Sequence, residues 1–292
     1  MTAVEPLLAL AVAAIFLAGG IVKGALGFGL PLVTIAVLPF LVPVEAAIGL
    51  NALVLVVVNA LQAWRYWVPG AIWRLAAPVI AGLVVAIPVG VALASAIPPR
   101  ALLGLLGLFV MGFALYGLAQ AWRAGRAPEG ATDGATDGAA DGAPDGATTT
   151  AGAGAAAGAA AGAGAGPAVR APRAGAGFAT GIAGGVVGAL TSAPGPIFVM
   201  YFTALRLERA AFMGVLGLVM GLVGVVLLGS LAVAGAPVGQ NGVLALAAVP
   251  PAFAGFWTGG RLGARFSIQG FRIAVLSLLT VLGSIMLYRA IG

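Results

Sequence analysis

Gly19-Gly20-Ile-Val-Lys23-Gly24-Ala-Leu-Gly27-Phe28-Gly29-Leu-Pro31 interrupts an otherwise apolar stretch with five closely spaced glycines, a proline and a single lysine. Apolar runs on both sides are long enough for helices, so the breakers must stop one helix and start another. A second interruption of this kind occurs at Gly181-Ile-Ala-Gly184-Gly185-Val-Val-Gly188-Ala-Leu-Thr191-Ser192-Ala-Pro194-Gly195-Pro196. In lipid, a broken backbone is tolerated only where it faces protein or a water-filled cavity, because each unsatisfied amide costs several kcal/mol. The two stretches must therefore line something.

That the surroundings are lipid follows from the composition. Of 292 residues, 62% are hydrophobic and 8% charged, and the mean hydropathy is +1.14. Soluble domains carry about 25% charged residues. Apolar segments run at 6–22, 26–43, 46–64, 72–95 and 101–121, then at 175–190, 193–205, 210–233, 242–260 and 271–289. A span needs about 20 apolar residues, which predicts an all-α polytopic membrane protein with eight to ten crossings. The sixth residue begins the first run, and Lys23 rather than a small-residue cleavage site follows it, so the first run is expected to stay as a span.

The chain has no Cys and no His. This removes disulfides, thiolate nucleophiles, Ser-His triads and nearly every zinc site, and no cofactor is expected. The net charge of +6 comes from bases scattered between apolar runs rather than gathered on one face, so the bilayer and not nucleic acid is the expected partner. The oligomeric state is not encoded in any pattern of this kind.

Between the two sets of runs, residues 123–174 are mostly Ala, Gly, Thr, Pro and Asp, with four tetrads in register from Ala131 to Gly146. Such a segment has too little apolar surface to offset its ordering entropy and reads as a disordered linker. The flanking units, 1–122 and 175–292, match each other. Gly27-Phe-Gly-Leu-Pro31 aligns with Ser192-Ala-Pro-Gly-Pro196, Val44-Glu-Ala-Ala47 with Glu208-Arg-Ala-Ala211, Pro78 with Pro251, Arg100 with Arg272, and Leu115-Tyr116 with Leu287-Tyr288. With the N-terminus outside and about five segments per unit, twelve of the fourteen basic residues fall on the cytoplasmic side, Arg100 and Arg289 excepted. The bias toward a positive inside makes the second unit upside down relative to the first, with both termini outside and the linker cytoplasmic. If each Gly/Pro stretch is a re-entrant hairpin, the inversion is kept and only Lys23 leaves the loop charges.

A broken helix exposes free amide N–H groups at the start of the next half-helix, where the helix dipole attracts an anion. Pro31 and Pro196 suit a first helical turn, and two inverted copies would bring two such ends together near the midplane. The candidate anion-binding residues are Lys23, Gly24, Gly27, Phe28, Gly29 and Pro31 from the first copy, with Gly188, Thr191, Ser192, Gly195 and Pro196 from the second. Close helix packing through small residues, as at Gly20-xxx-Gly24, is the other reading of the same glycines. Lys23 is either an anion ligand in the membrane, at an insertion cost of about 2.5–3.5 kcal/mol, or a topology signal. Glu45 and Glu208 stand at matching points of the repeats, as helix caps or as proton-coupling groups. Thr34, Asn51 and Asn59 offer further hydrogen bonds, to a cavity or between helices. Trp64, Trp67 and Trp73 read as a headgroup-level belt.

On the residues Gly20–Pro31, Gly181–Pro196, Gly90–Arg100 and Gly263–Arg272, the chain resembles the TauE/SafE (TSUP) family of sulfite and organosulfur anion exporters. The sequence departs from the family's glycine triplet, reading Gly27-Phe28-Gly29 in the first copy and Ser192-Ala193-Pro194-Gly195 in the second. The resemblance implies secondary transport of a small anion such as sulfite, a sulfonate or an organic acid across a cell membrane, with no enzymatic activity. An anion channel, a membrane scaffold subunit and, more remotely, an enzyme acting on lipid-linked substrates are the other readings.

Overall fold

The computed structural model describes residues 6–26, 28–67, 70–124, 173–236, 242–262 and 268–291. The described residues form ten α-helices and no strand. These are α1 (Pro6–Leu26), α2 (Leu30–Val37, continued by a 3-10 turn at Leu38–Phe40), α3 (Val44–Arg65), α4 (Ala71–Ser95), α5 (Pro99–Ala124), α6 (Ala174–Thr191), α7 (Gly195–Ala204), α8 (Arg209–Val233), α9 (Gly242–Leu262) and α10 (Ile268–Ile291). Eight are long and apolar enough to cross a membrane, and Leu30–Phe40 and Gly195–Ala204 are short apolar helices. The two segments that follow the Gly/Pro breaks are thus the short ones. Apart from its ends, the expected linker lies outside the described residues, as does Gly27.

Helix pairing shows how the halves relate. The first helix of each half packs on the fourth of the other, α1 on α9 and α6 on α4, while third pairs with third (α3 and α8) and fifth with fifth (α5 and α10). The direction of each pair can be read from the glycines at the crossings. Along α5, Gly104 faces Ala290, Gly107 faces Gly283 and Leu287, and Gly117 faces Leu276, so α10 runs the opposite way. Likewise Gly217 faces Asn59 and Ala63, whereas Gly224 faces Ala52 and Val56, so α3 and α8 are antiparallel. Equivalent helices can meet head to tail in this way only across a two-fold axis perpendicular to them. For helices that cross a bilayer, that axis lies in the membrane plane, and the halves are inverted repeats. The unlike pairs are parallel, as the same axis requires: Gly20 faces Ala252 and Gly24 faces Gly260, and Gly82 faces Phe178 while Gly90 faces Ala189.

Small residues make these crossings close. A Cβ on Gly20 would run into the Ala252 carbonyl and stand 2.9 Å from the Phe256 amide; on Gly24 it would run into the Phe256 carbonyl. The opposite crossing repeats this, Gly181 meeting the Val79 carbonyl. Without a hydrophobic force between helices in lipid, such backbone approach supplies the van der Waals contact that holds them. Measured from these crossings, the break after α6 comes about one helical turn later than the break after α1, so the repeats are related but not identical at their centre.

The structure takes Lys23 out of the loops: it lies in the last turns of α1 and is 5% exposed. Trp64, Trp67 and Trp73 are exposed at the α3–α4 connection, Trp67 and Trp73 packing edge to face at 5.8 Å, in keeping with an interfacial belt.

Candidate functional site

The α1–α2 break turns on Gly29, whose φ of 108° is a left-handed value that only glycine adopts without strain. Leu30 then opens α2 with Pro31 in its first turn, and the Val33 amide closes the first turn on the Gly29 carbonyl at 3.1 Å. In the second copy Ser192 takes the left-handed conformation (φ 52°) at the end of α6, and α7 starts at Gly195 with Pro196 following. Thr191 holds this turn: its hydroxyl donates to the Val187 carbonyl (2.7 Å) and accepts from the Ala193 amide (3.1 Å).

Both breaks open on one small central chamber of about 20 Å³, room for roughly one water. Lys23, Phe28, Gly29, Pro31 and Leu32 border it from the first half; Ala193, Gly195, Pro196, Leu216 and Met220 border it from the second. First-turn amides of a helix have no intrahelical acceptor, so two half-helix N-termini of opposite direction face this space with their positive dipole ends. Lys23 brings its terminal amino group to the same space. It donates one hydrogen bond, to Asn59 Oδ1 at 2.7 Å, out of the three that an ammonium offers.

No described carboxylate shares the chamber. Glu45 and Glu208 are the only described acids; Glu45 is exposed in the first turn of α3, and Glu208 is the exposed N-cap of α8. Both positions favour an acid through the helix dipole alone.

A second polar cluster ties the two breaks together. Asn51, fully buried in α3, donates to Ser192 Oγ at 2.8 Å and, at 3.5 Å, toward the Pro31 carbonyl, and it accepts from Thr34 Oγ1 at 2.8 Å. Ser192 Oγ in turn donates to the Thr191 carbonyl at 2.6 Å. One side chain thus bridges the first and second repeats where their helices are interrupted.

Of the residues expected from the sequence, Lys23, Phe28, Gly29, Pro31, Gly195 and Pro196 come together at the chamber. Thr191 and Ser192 shape the second break. Gly24 packs against α9, and a Cβ on Gly188 would stand 3.3 Å from Pro194 and from Val223, so both glycines serve close approach rather than the chamber wall. The sequence reading passed over Gln62. It is 4% exposed, its amide donates to the Met213 carbonyl at 3.0 Å, and its Oε1 is buried with no partner among the described residues. Its signal was the spacing of Asn51, Asn59 and Gln62, which runs along one face of α3. The positions of α8 that match these by the repeat are Val and Leu or Gly, so the polar equipment of the pseudo-symmetric centre comes mainly from the first half.

These features define an all-α, multi-pass membrane protein with inverted repeats and a small chamber, bordered by a buried lysine, at paired helix breaks. The family described as Sulfite exporter TauE/SafE matches residues 11–286. The chain belongs to this family, whose members are membrane transporters. No curated protein and no solved structure matches the chain.

Proposed function

We propose that the protein is a secondary transporter, working as an exporter of small anions such as sulfite, sulfonates or organic acids by alternating access of its inverted halves around the central chamber. The observation that carries this reading is Lys23: a buried cation, bonded to a neutral amide, at a chamber formed by both half-helix N-termini. A bare ammonium in the membrane is costly, and an anion entering the chamber would neutralise it while accepting hydrogen bonds from free amides. Family membership supports the same direction. Gly27 belongs to this proposed anion site together with Gly29, and Glu45 and Glu208 are the candidate groups for proton coupling. The protein works in a cell membrane, the inner or plasma membrane, with both termini outside and the linker in the cytoplasm.

The test is uptake of radiolabelled sulfite, sulfoacetate, thiosulfate and a plain carboxylate into proteoliposomes, with and without an imposed potential and pH gradient. Saturable flux of one anion, competed by its analogues, supports the transporter. Flux that never saturates with concentration points to a channel, and absence of flux in correctly inserted protein contradicts the reading.

A further inference from the structure

Beside the Lys23 chamber lies a second, larger cavity of about 80 Å³ between α1, α2, α5, α7 and α10. Its walls are almost wholly apolar, and the single charged side chain bordering it is Arg272, half-buried and cationic. The two cavities are neighbours through shared walls: Phe28, Gly29, Leu32 and Pro196 border both. Phe28 stands at the junction, its ring set edge-on against Phe113 with centroids 6.5 Å apart. The Lys23 chamber does not account for this arrangement, because a compact inorganic oxyanion held there would gain no contact from an apolar annex four times the chamber's volume.

We propose that the annex receives the apolar tail of an anion whose charged head is held at Lys23, so that the preferred cargo is a sulfonate or carboxylate carrying a short alkyl chain. This rests on the anion reading of the chamber and narrows it. The shared walls at Phe28, Gly29, Leu32 and Pro196 set the two spaces side by side, so that a shift of the Phe28 ring would give such a molecule one site with a cationic end and an oily end. Burying each methylene contributes roughly 0.8 kcal/mol, about a three- to fourfold gain in affinity.

The experiment measures uptake of labelled methanesulfonate by the wild-type protein in proteoliposomes, competed by unlabelled n-alkylsulfonates of one to six carbons and by n-alcohols of the same lengths. The half-inhibitory concentration should fall about three- to fourfold per added methylene until the annex is full, and the alcohols should not reproduce the series. In Val275→Phe, which fills the annex wall, the dependence on length should flatten, the methanesulfonate signal reporting that the variant is folded. A series flat in the wild type, with methanesulfonate still carried, overturns the tail site and leaves the anion reading standing. Alcohols competing with the same slope, or a slope that persists in Val275→Phe, also overturn it. If methanesulfonate is neither carried nor competes with sulfite, the anion reading fails and the tail site with it.

Discussion

Asn51 and Ser192, 141 residues apart in the chain, are joined by a 2.8 Å hydrogen bond between the amide of one and the hydroxyl of the other. The bond links the third helix of the first repeat to the break of the second. Because Asn51 also accepts from Thr34 and reaches the Pro31 carbonyl, it fixes both interrupted helices at once.

Replacing Asn51 by Ala leaves the buried Ser192 and Thr34 hydroxyls without this shared partner. Thr34 keeps the Leu30 carbonyl and Ser192 the Thr191 carbonyl as acceptors, so the loss is of the linking hydrogen bonds, about 0.5–1.5 kcal/mol each, and Asn51→Ala should lower thermal stability in detergent and slow transport together. Asn51→Asp, which keeps the shape but removes the donor, should be no better. A variant as stable and as active as the wild type would mean that the cluster does not hold the breaks.

The helix crossings make a sharper prediction about stability. A side chain on Gly20 meets the α9 backbone, which cannot yield as a flexible side chain would, so Gly20→Val should destabilise by about 1–3 kcal/mol or more. Gly49 lies in α3 with open space where its Cβ would be; Gly49→Ala should be neutral or gain roughly 0.5–1 kcal/mol from helix propensity. Thermal unfolding of the two variants side by side checks the contrast.

Inversion can be read directly from the membrane. The chain has no cysteine, so single cysteines need no background removed. Trp67→Cys and Ala234→Cys follow the equivalent helices α3 and α8, and both positions are exposed. In sealed, oriented vesicles an impermeant thiol reagent should reach one from one face and the other from the opposite face. Labelling from the same face would mean parallel repeats.

A membrane potential should act on the transported anion itself. With no carboxylate among the described chamber residues, an uncoupled monovalent anion gains about 2.3 kcal/mol per 100 mV, roughly a 50-fold gradient at equilibrium. An accumulation ratio measured against an imposed potassium diffusion potential should follow this slope. A ratio that tracks the pH gradient instead would mean proton coupling, and loss of that dependence in Glu45→Gln or Glu208→Gln would assign the role to that acid.

Much of the architecture was legible in the sequence because the bilayer makes local patterns decisive. The apolar runs gave the helices with small errors at their ends, and the clustered Gly and Pro marked the breaks, since no other feature ends a membrane helix within the hydrocarbon. The inversion was legible from loop charges, and the antiparallel pairing of α3 with α8 and of α5 with α10 agrees with it. Side-chain partnership was less legible. Lys23 meets Asn59 across 36 residues, a contact set by α9, which packs on both α1 and α3, and by no motif. Gln62 belongs to no motif, and only the packing of α3 on α8 buries it. The role of Gly24 was ambiguous for a physical reason: a glycine that admits a ligand and one that admits a neighbouring backbone look alike until the neighbour is in place. The apolar annex was out of reach altogether, because its walls come from five helices of both repeats.

The account turns on the buried cation, and the most direct test is the rate of sulfite uptake into proteoliposomes for the wild type, Lys23→Gln and Lys23→Arg, with the amount of inserted protein measured in each. Removing an ion-paired ligand group typically costs about 1.5–3 kcal/mol, so Lys23→Gln should lose roughly 10- to 100-fold in apparent affinity while inserting normally, and Lys23→Arg should retain part of it. Unchanged sulfite kinetics in Lys23→Gln would contradict the anion chamber and leave the lysine a structural role beside Asn59.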